Sequence, residues 1–156
     1  MSDNTNASLS VSIKELESVH VAYTTYKAKG EQGDMHAEIH ECFQRVQNWL
    51  SGVGLDPLTL LHVGIPILRS GEFLSYECCI EVPAEVHTGL DDIGIKELPG
   101  GRYAIVNIEK EPAIIGDSIG RFYQEYVPHN HLVIDGMRPT YEIYYASTME
   151  YCVPIL

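Results

Sequence analysis

Ile13-Lys14-Glu15-Leu16, near the start of the chain, returns as Ile95-Lys96-Glu97-Leu98, an offset of 82 residues from 13 to 95. Four identical residues can arise by chance; the patterns downstream of the two copies give the match its weight. After the first, Glu17-Ser18 leads into Val19 to Tyr26, a run rich in β-branched and aromatic residues. After the second, Pro99-Gly100-Gly101 supplies a strand-entry turn into Arg102 to Glu109. Each run then gives way to a helical pattern. Ile39, Phe43, Val46 and Leu50 recur at i, i+4, i+7 and i+11 and put one apolar face on Met35 to Leu50, which Ser51-Gly52, Gly54 and Pro57 stop. Ile115, Ile119, Phe122 and Tyr126 make the same kind of face from about Ile114 to Tyr126, with Pro128 expected to end it. Two strand-like runs close each half. They are Leu58 to Leu68 and Phe73 to Val82 about a Ser70-Gly71 turn, then Thr140 to Ala146 and Tyr151 to Ile155 about a turn near Ser147-Thr148.

Each half therefore reads strand, helix, strand, strand. The predicted fold class is α+β: duplicated strand-helix-strand-strand modules forming one curved antiparallel sheet with helices on one face. The pseudo-repeats span about residues 11–83 and 93–156, making one domain over 11–156, and residues 1–10 are expected to be a disordered N-terminal tail. The sheet face away from the helices must be exposed or shaped into a cleft, and ligand sites commonly lie where such halves meet.

Charge narrows the partners. The 156 residues carry 22 Asp and Glu against 10 Lys and Arg, a formal charge of −12. Phosphate binding requires a basic face, so direct DNA or RNA binding is not expected, nor is attachment to an anionic membrane. A cationic small molecule, a basic protein partner or plain solubility all fit. No apolar run approaches the roughly 18 residues of a membrane span, and Met1 to Ser10 lacks the basic and apolar regions of a secretory leader. A cytoplasmic protein is expected. Cys42, Cys78, Cys79 and Cys152 form no C-x-x-C pair and are read as reduced, mostly buried thiols.

The strand Thr140 to Ala146 carries the most suggestive chemistry. Side chains alternate across a strand, so Tyr141, Ile143 and Tyr145 share one face, suited to packing on helices. Thr140, Glu142, Tyr144 and Ala146 share the other, placing a carboxylate two residues from an aromatic ring. One reading of Glu142 is a solvated residue on an outer sheet face; the other is a half-buried carboxylate in a tyrosine-lined cleft. Ten tyrosines against three phenylalanines supply such a lining. Aromatic faces attract cations by roughly 0.5–2 kcal/mol each, and a unit charge ~4 Å from a carboxylate gains about 4 kcal/mol at an effective dielectric near 20. Together they would select a flat, cationic, apolar molecule. Trp49, between Val46 and Leu50, is a core residue or a cleft lining; Tyr23 and Tyr103, in the two early strands, have cross-strand packing or cleft access as their alternatives.

Other constellations point to little. His36 and His40 stand i, i+4 on the first helix, but no glutamate follows His36 and no third ligand is placed, so neither a metal site nor a cofactor is expected. His129 and His131 flank Asn130 in a loop, and nothing marks an axial haem ligand. No G-x-S-x-G, P-loop or G-x-G-x-x-G is present.

Three segments carry a resemblance. They are Cys42-Phe43-Gln44-Arg45-Val46-Gln47-Asn48-Trp49-Leu50, then Leu98-Pro99-Gly100-Gly101-Arg102-Tyr103-Ala104, then the pair Pro139-Thr140-Tyr141-Glu142-Ile143-Tyr144 and Glu150-Tyr151-Cys152-Val153-Pro154-Ile155. In order and spacing they resemble the GyrI-like small-molecule-binding domain, also the effector-binding domain of multidrug-responsive transcription activators. The resemblance covers about residues 11 to 156. It implies a central ligand cleft, with Glu142 of the Tyr-Glu-x-Tyr motif facing bound aromatic cations as their counter-charge. Some members of that family hydrolyse cyclopropane-bearing DNA-alkylating natural products, and others modulate gyrase.

Three functions are expected on these grounds. The first is a stand-alone binding protein, sensing or sequestering hydrophobic cationic aromatic molecules through Glu142, Tyr144, Trp49, Tyr23 and Tyr103. The second is a hydrolase of cyclopropanoid or related electrophiles with Glu142 as acid/base. The third is an inhibitory module that binds a basic protein partner through its charge, with an affinity that falls steeply with ionic strength.

Overall fold

Among the described residues, the strands pair antiparallel within each of two groups. The computed structural model describes residues 9–28, 35–86 and 92–156; the expected tail over 1–10 lies outside them except for Leu9 and Ser10. In chain order the elements are β1 Ser10–Leu16, β2 Val19–Lys27, α1 Met35–Gly52, β3 His62–Arg69, β4 Glu72–Glu81, β5 Gly94–Leu98, β6 Gly101–Glu109, α2 Pro112–Arg121, β7 Tyr141–Tyr144 and β8 Thr148–Pro154. The fold is α+β, and in each copy strand-helix-strand-strand is preceded by a further strand, formed by the Ile-Lys-Glu-Leu segment.

The chain divides into two compact units, one over Ser18–Pro99 and the other combining the residues up to Glu17 with Gly100–Leu156. These are not the consecutive halves the repeat suggests. The repeated Ile-Lys-Glu-Leu strand of each copy joins the other copy's unit. Ile13 in β1 faces Ala104 in β6, and Ile95 in β5 faces Ala22 in β2. Both Ile–Ala pairs obey the 82-residue offset that runs from 13 to 95. Lys14 opposite Tyr103 matches Lys96 opposite Val21, and Leu16 opposite Gly101 matches Leu98 opposite Val19. The repeat is thus kept residue for residue in hydrogen-bond register.

In the Ser18–Pro99 unit the strand order is β3-β4-β2-β5. Helix α1 lays Cys42, Val46 and Leu50 on Ala22, Tyr26, Tyr76, Cys78 and Ile80, with Phe43 and Trp49 at the margin of that core. The predicted turn at Ser70-Gly71 has positive φ at both residues, 53° and 81°, which suits a tight hairpin. Strand β3 begins later than expected. The Asp56 carboxylate accepts from the Leu58 N–H at 3.0 Å and Pro57 opens a 3-10 turn over Pro57–Thr59, so those residues leave the extended conformation.

In the other unit the order is β1-β6-β8-β7. Phe122 is fully buried among Ala104, Val106, Ile108, Met149, Tyr151 and Val153, with Ile115, Ile119 and Tyr126 packed against them. Pro128 does not end the helix. A π-turn over Phe122–Tyr126 widens it, the Val127 N–H reaching back five residues to the Phe122 carbonyl, and a last turn runs over Val127–His129. Proline is tolerated there because it sits at the start of a fresh turn, where its missing N–H is not needed. Among the described residues no helix is long and apolar enough to cross a membrane.

Two glycines make the packing testable. A Cβ at Gly64 would fall on the Tyr76 ring, which lies across β3, whereas a Cβ at Gly116 on exposed α2 would meet nothing within 4 Å. Gly64→Ala should therefore lose about 1–3 kcal/mol through overpacking. Gly116→Ala should gain about 0.5–1 kcal/mol by raising helix propensity. Urea unfolding of both variants checks the opposite signs.

Candidate functional site

Strand β7 sets Glu142 opposite Tyr151 and Tyr144 opposite Met149 of β8. Tyr151 and Met149 belong to the core on which α2 packs, and Tyr144 packs against that core too. Glu142 and Tyr144 therefore lie on the helix side of the sheet, and the expected assignment of faces is reversed. The register decides it: Tyr141 pairs with Cys152, and its ring stacks on Tyr103 at 5.2 Å on the side away from α2. That second face holds Tyr103, Ile105, Tyr141, Ile143 and Cys152, all buried as well.

Around Glu142 the side chains are aromatic and hydroxylated. The Tyr144 hydroxyl donates to Glu142 Oε1 at 2.9 Å. The Tyr151 hydroxyl shares a 2.9 Å hydrogen bond with that of Tyr123, whose ring meets Tyr151 edge-on at 6.1 Å. Burial first, then the Tyr123 hydrogen bond and the Glu142 carboxylate, push the Tyr151 hydroxyl well above the ordinary tyrosine range. Tyr151 thus stays neutral and can donate or accept. Tyr123 comes from the π-turn after α2 and is 39 % exposed, so the cluster is reached from solvent. Lys110, at the exit from β6, holds its Nζ 5.6 Å from the Tyr144 ring centroid. Chemically, a half-buried carboxylate among three tyrosines can hold a positive charge.

The remaining expected site residues have surroundings of their own. Tyr103 is fully buried: its hydroxyl donates to the Pro139 carbonyl at 2.9 Å, and the Arg138 guanidinium covers the ring at 5.0 Å. Arg138 also pairs with Asp135 at 2.7 Å and donates to the Ile155 carbonyl at 2.8 Å, fastening the loop before β7 to β8. Tyr103 as placed is a packing residue of the sheet. Tyr23 and Trp49 belong to the Ser18–Pro99 unit. Lys96 Nζ stands 4.4 Å over the Tyr23 ring, and Trp49 is part-buried beside the α1 core. Glu142 and Tyr144 are brought together as expected; Tyr123, Tyr151 and Lys110 join them unforeseen. Tyr151 is the cross-strand neighbour of Glu142, a relation that only the hairpin register reveals.

His36 and His40 are both exposed, and no group of three or more metal-ligating side chains forms among the described residues. The four cysteines are free and buried. Burial above all pushes the Cys79 and Cys152 thiols up to about 12, which disfavours a reactive thiolate at either.

The model of the GyrI-like small molecule binding domain matches residues 9–155. The chain belongs to the GyrI-like family. No curated protein matches the sequence. Among solved structures, the EcmrR C-terminal domain superposes with a TM-score of 0.76 at 13% identity, over 95% of this chain and 98% of that one. The EcmrR chain in its DNA complex is longer, and this GyrI-like chain spans 57% of it, with a TM-score of 0.74 at 13% identity. SAV2435 bound to tetraphenylphosphonium gives 0.59 at 16% identity, over 94% of each chain. A hydrolase from Listeria innocua gives 0.67 at 10%, over 94% of this chain and 91% of that one. At these identities the superpositions establish the fold.

The raised Tyr151 hydroxyl makes a prediction about alkali. Unfolded tyrosine ionises near pH 10, below the folded Tyr151, so its contribution to stability is full below that pH and declines as pH rises above it. Tyr151→Phe should flatten the fall in stability above about pH 10, measured by urea unfolding at stepped pH; an unchanged slope would count against the buried neutral hydroxyl.

Proposed function

We propose that this GyrI-like chain binds hydrophobic aromatic cations, with Glu142 as counter-charge and Tyr144, Tyr151 and Tyr123 as the aromatic shell. The observation that carries the reading is the half-buried carboxylate itself, holding the Tyr144 hydroxyl at 2.9 Å beside the linked Tyr151 and Tyr123 hydroxyls. Such a group attracts a cation at short range while the rings take its apolar surface. A delocalised organic cation suits the site better than a small hydrated one, because it loses little hydration on entering. The family's small-molecule-binding character and the tetraphenylphosphonium bound by SAV2435 support the same class of ligand. The net charge of −12 adds a long-range attraction that salt will weaken. Sensing or sequestration is the role such binding would serve.

A second reading is favoured by one contact. A tyrosine hydroxyl that donates to a carboxylate sets a proton donor beside an acceptor, so Glu142 with Tyr144 would also suit hydrolysis of a cyclopropanoid or related electrophile. The two readings separate in one assay. Calorimetric titration with tetraphenylphosphonium should show binding that falls at least tenfold, about 1.4 kcal/mol, in Glu142→Gln. Binding untouched by that change would contradict the cation reading. Product formation from a cyclopropane-bearing electrophile, lost in Glu142→Gln, would establish the hydrolase.

A further inference from the structure

Both units contain a tyrosine ring, a lysine ammonium and a carboxylate in one neighbourhood. In the Ser18–Pro99 unit the arrangement is closed. Lys96 Nζ lies 4.4 Å over the Tyr23 ring and pairs with Glu77, the ammonium being about one-third exposed and the carboxylate less. The fit is tight: a Cβ at Gly94, opposite Tyr23 in β5, would stand 2.7 Å from that ring. Here the protein's own lysine holds the position that a ligand cation would take between ring and carboxylate.

In the other unit the same residue types recur. The Tyr144 hydroxyl is committed to Glu142, and the approaching ammonium, Lys110, stands 5.6 Å from the Tyr144 centroid. Lys110 is exposed, and its own backbone N–H donates to the Ser147 carbonyl at 3.2 Å. Glu109 and Glu111 flank it in sequence.

We infer that Lys110 is a specificity-determining residue of the Glu142–Tyr144 site: its ammonium is a resident cation on the Tyr144 face, which an incoming organic cation must displace. The inference rests on the cation-binding reading of that site. It has two consequences. Lys110 opposes the entry of cations by occupying the ring and by like-charge repulsion, and it favours anions of the same shape. A ligand must therefore bring enough apolar area to outweigh the loss of the lysine contact, which selects bulky aromatic cations over small ammonium ions.

The test is a titration of wild type, Lys110→Met and Glu142→Gln with tetraphenylphosphonium and with the isosteric anion tetraphenylborate. Methionine keeps the apolar stem and removes the charge. The expected result is that Lys110→Met binds the cation about two- to fivefold more tightly than wild type and the anion more weakly. Glu142→Gln should shift both ligands in the opposite senses. Equal cation affinity in Lys110→Met and wild type, with Glu142→Gln still weakened, would overturn the role of Lys110 and leave the binding site standing. Cation binding unaffected by Glu142→Gln, or absent from wild type and Lys110→Met alike, would overturn both. Binding seen only in Lys110→Met would support the displacement outright.

Discussion

The constraint on which this molecule depends is the exchange of the two Ile-Lys-Glu-Leu strands. Each leaves its own copy and closes an edge of the other unit's sheet, with Ile13 against Ala104 and Ile95 against Ala22. A slip of one residue in either pairing would turn its alternating side chains to the wrong face. The exchange also explains why neither consecutive half is a unit. Residues 11–83 would lack β5, and residues 93–156 would lack β1, leaving β2 and β6 each with an unpaired side.

That pairing has consequences at Glu142. Once β6 is fixed by β1, it sets β8, placing Val106 opposite Tyr151 and Ala104 opposite Val153. Strand β8 then sets β7, placing Glu142 opposite Tyr151. The helix-bearing face of this sheet holds Ala104 and Val106 of β6 and Met149, Tyr151 and Val153 of β8 in its core, and at β7 the Glu142 carboxylate accepts from the Tyr144 hydroxyl. The π-turn after α2 brings Tyr123 to the same place, since Phe122 is buried beneath the helix while its neighbour reaches the Tyr151 hydroxyl. A site built this way is held by sheet register and a packed core, which favours a fixed geometry over one assembled by loops.

Much of this is legible in the residues. The repeat sets out the order of elements, and the i, i+4 pattern locates both helices and their inward faces, because that spacing reports burial directly. The Tyr-Glu-x-Tyr segment makes Glu142 and Tyr144 neighbours on one face for the same reason: alternation along a strand is strict. Alternation carries no phase, however, so it does not say that this face is the one turned to α2. Identical residues show that two segments are copies but not which strand each will join, which hides the exchange. Tyr103 resembles a site residue in sequence, yet the loop arginine that covers it, Arg138, is brought there only by the tertiary fold.

The central claim is that Glu142 and its tyrosines form the seat of a bound aromatic cation. It is tested most directly by a crystal structure of the protein with tetraphenylphosphonium. The account predicts the charge centre within about 6 Å of the Tyr144 or Tyr151 ring, beside the Glu142 carboxylate, with the Lys110 ammonium moved off the Tyr144 face. A cation seated away from Glu142, with Lys110 unmoved, would contradict it.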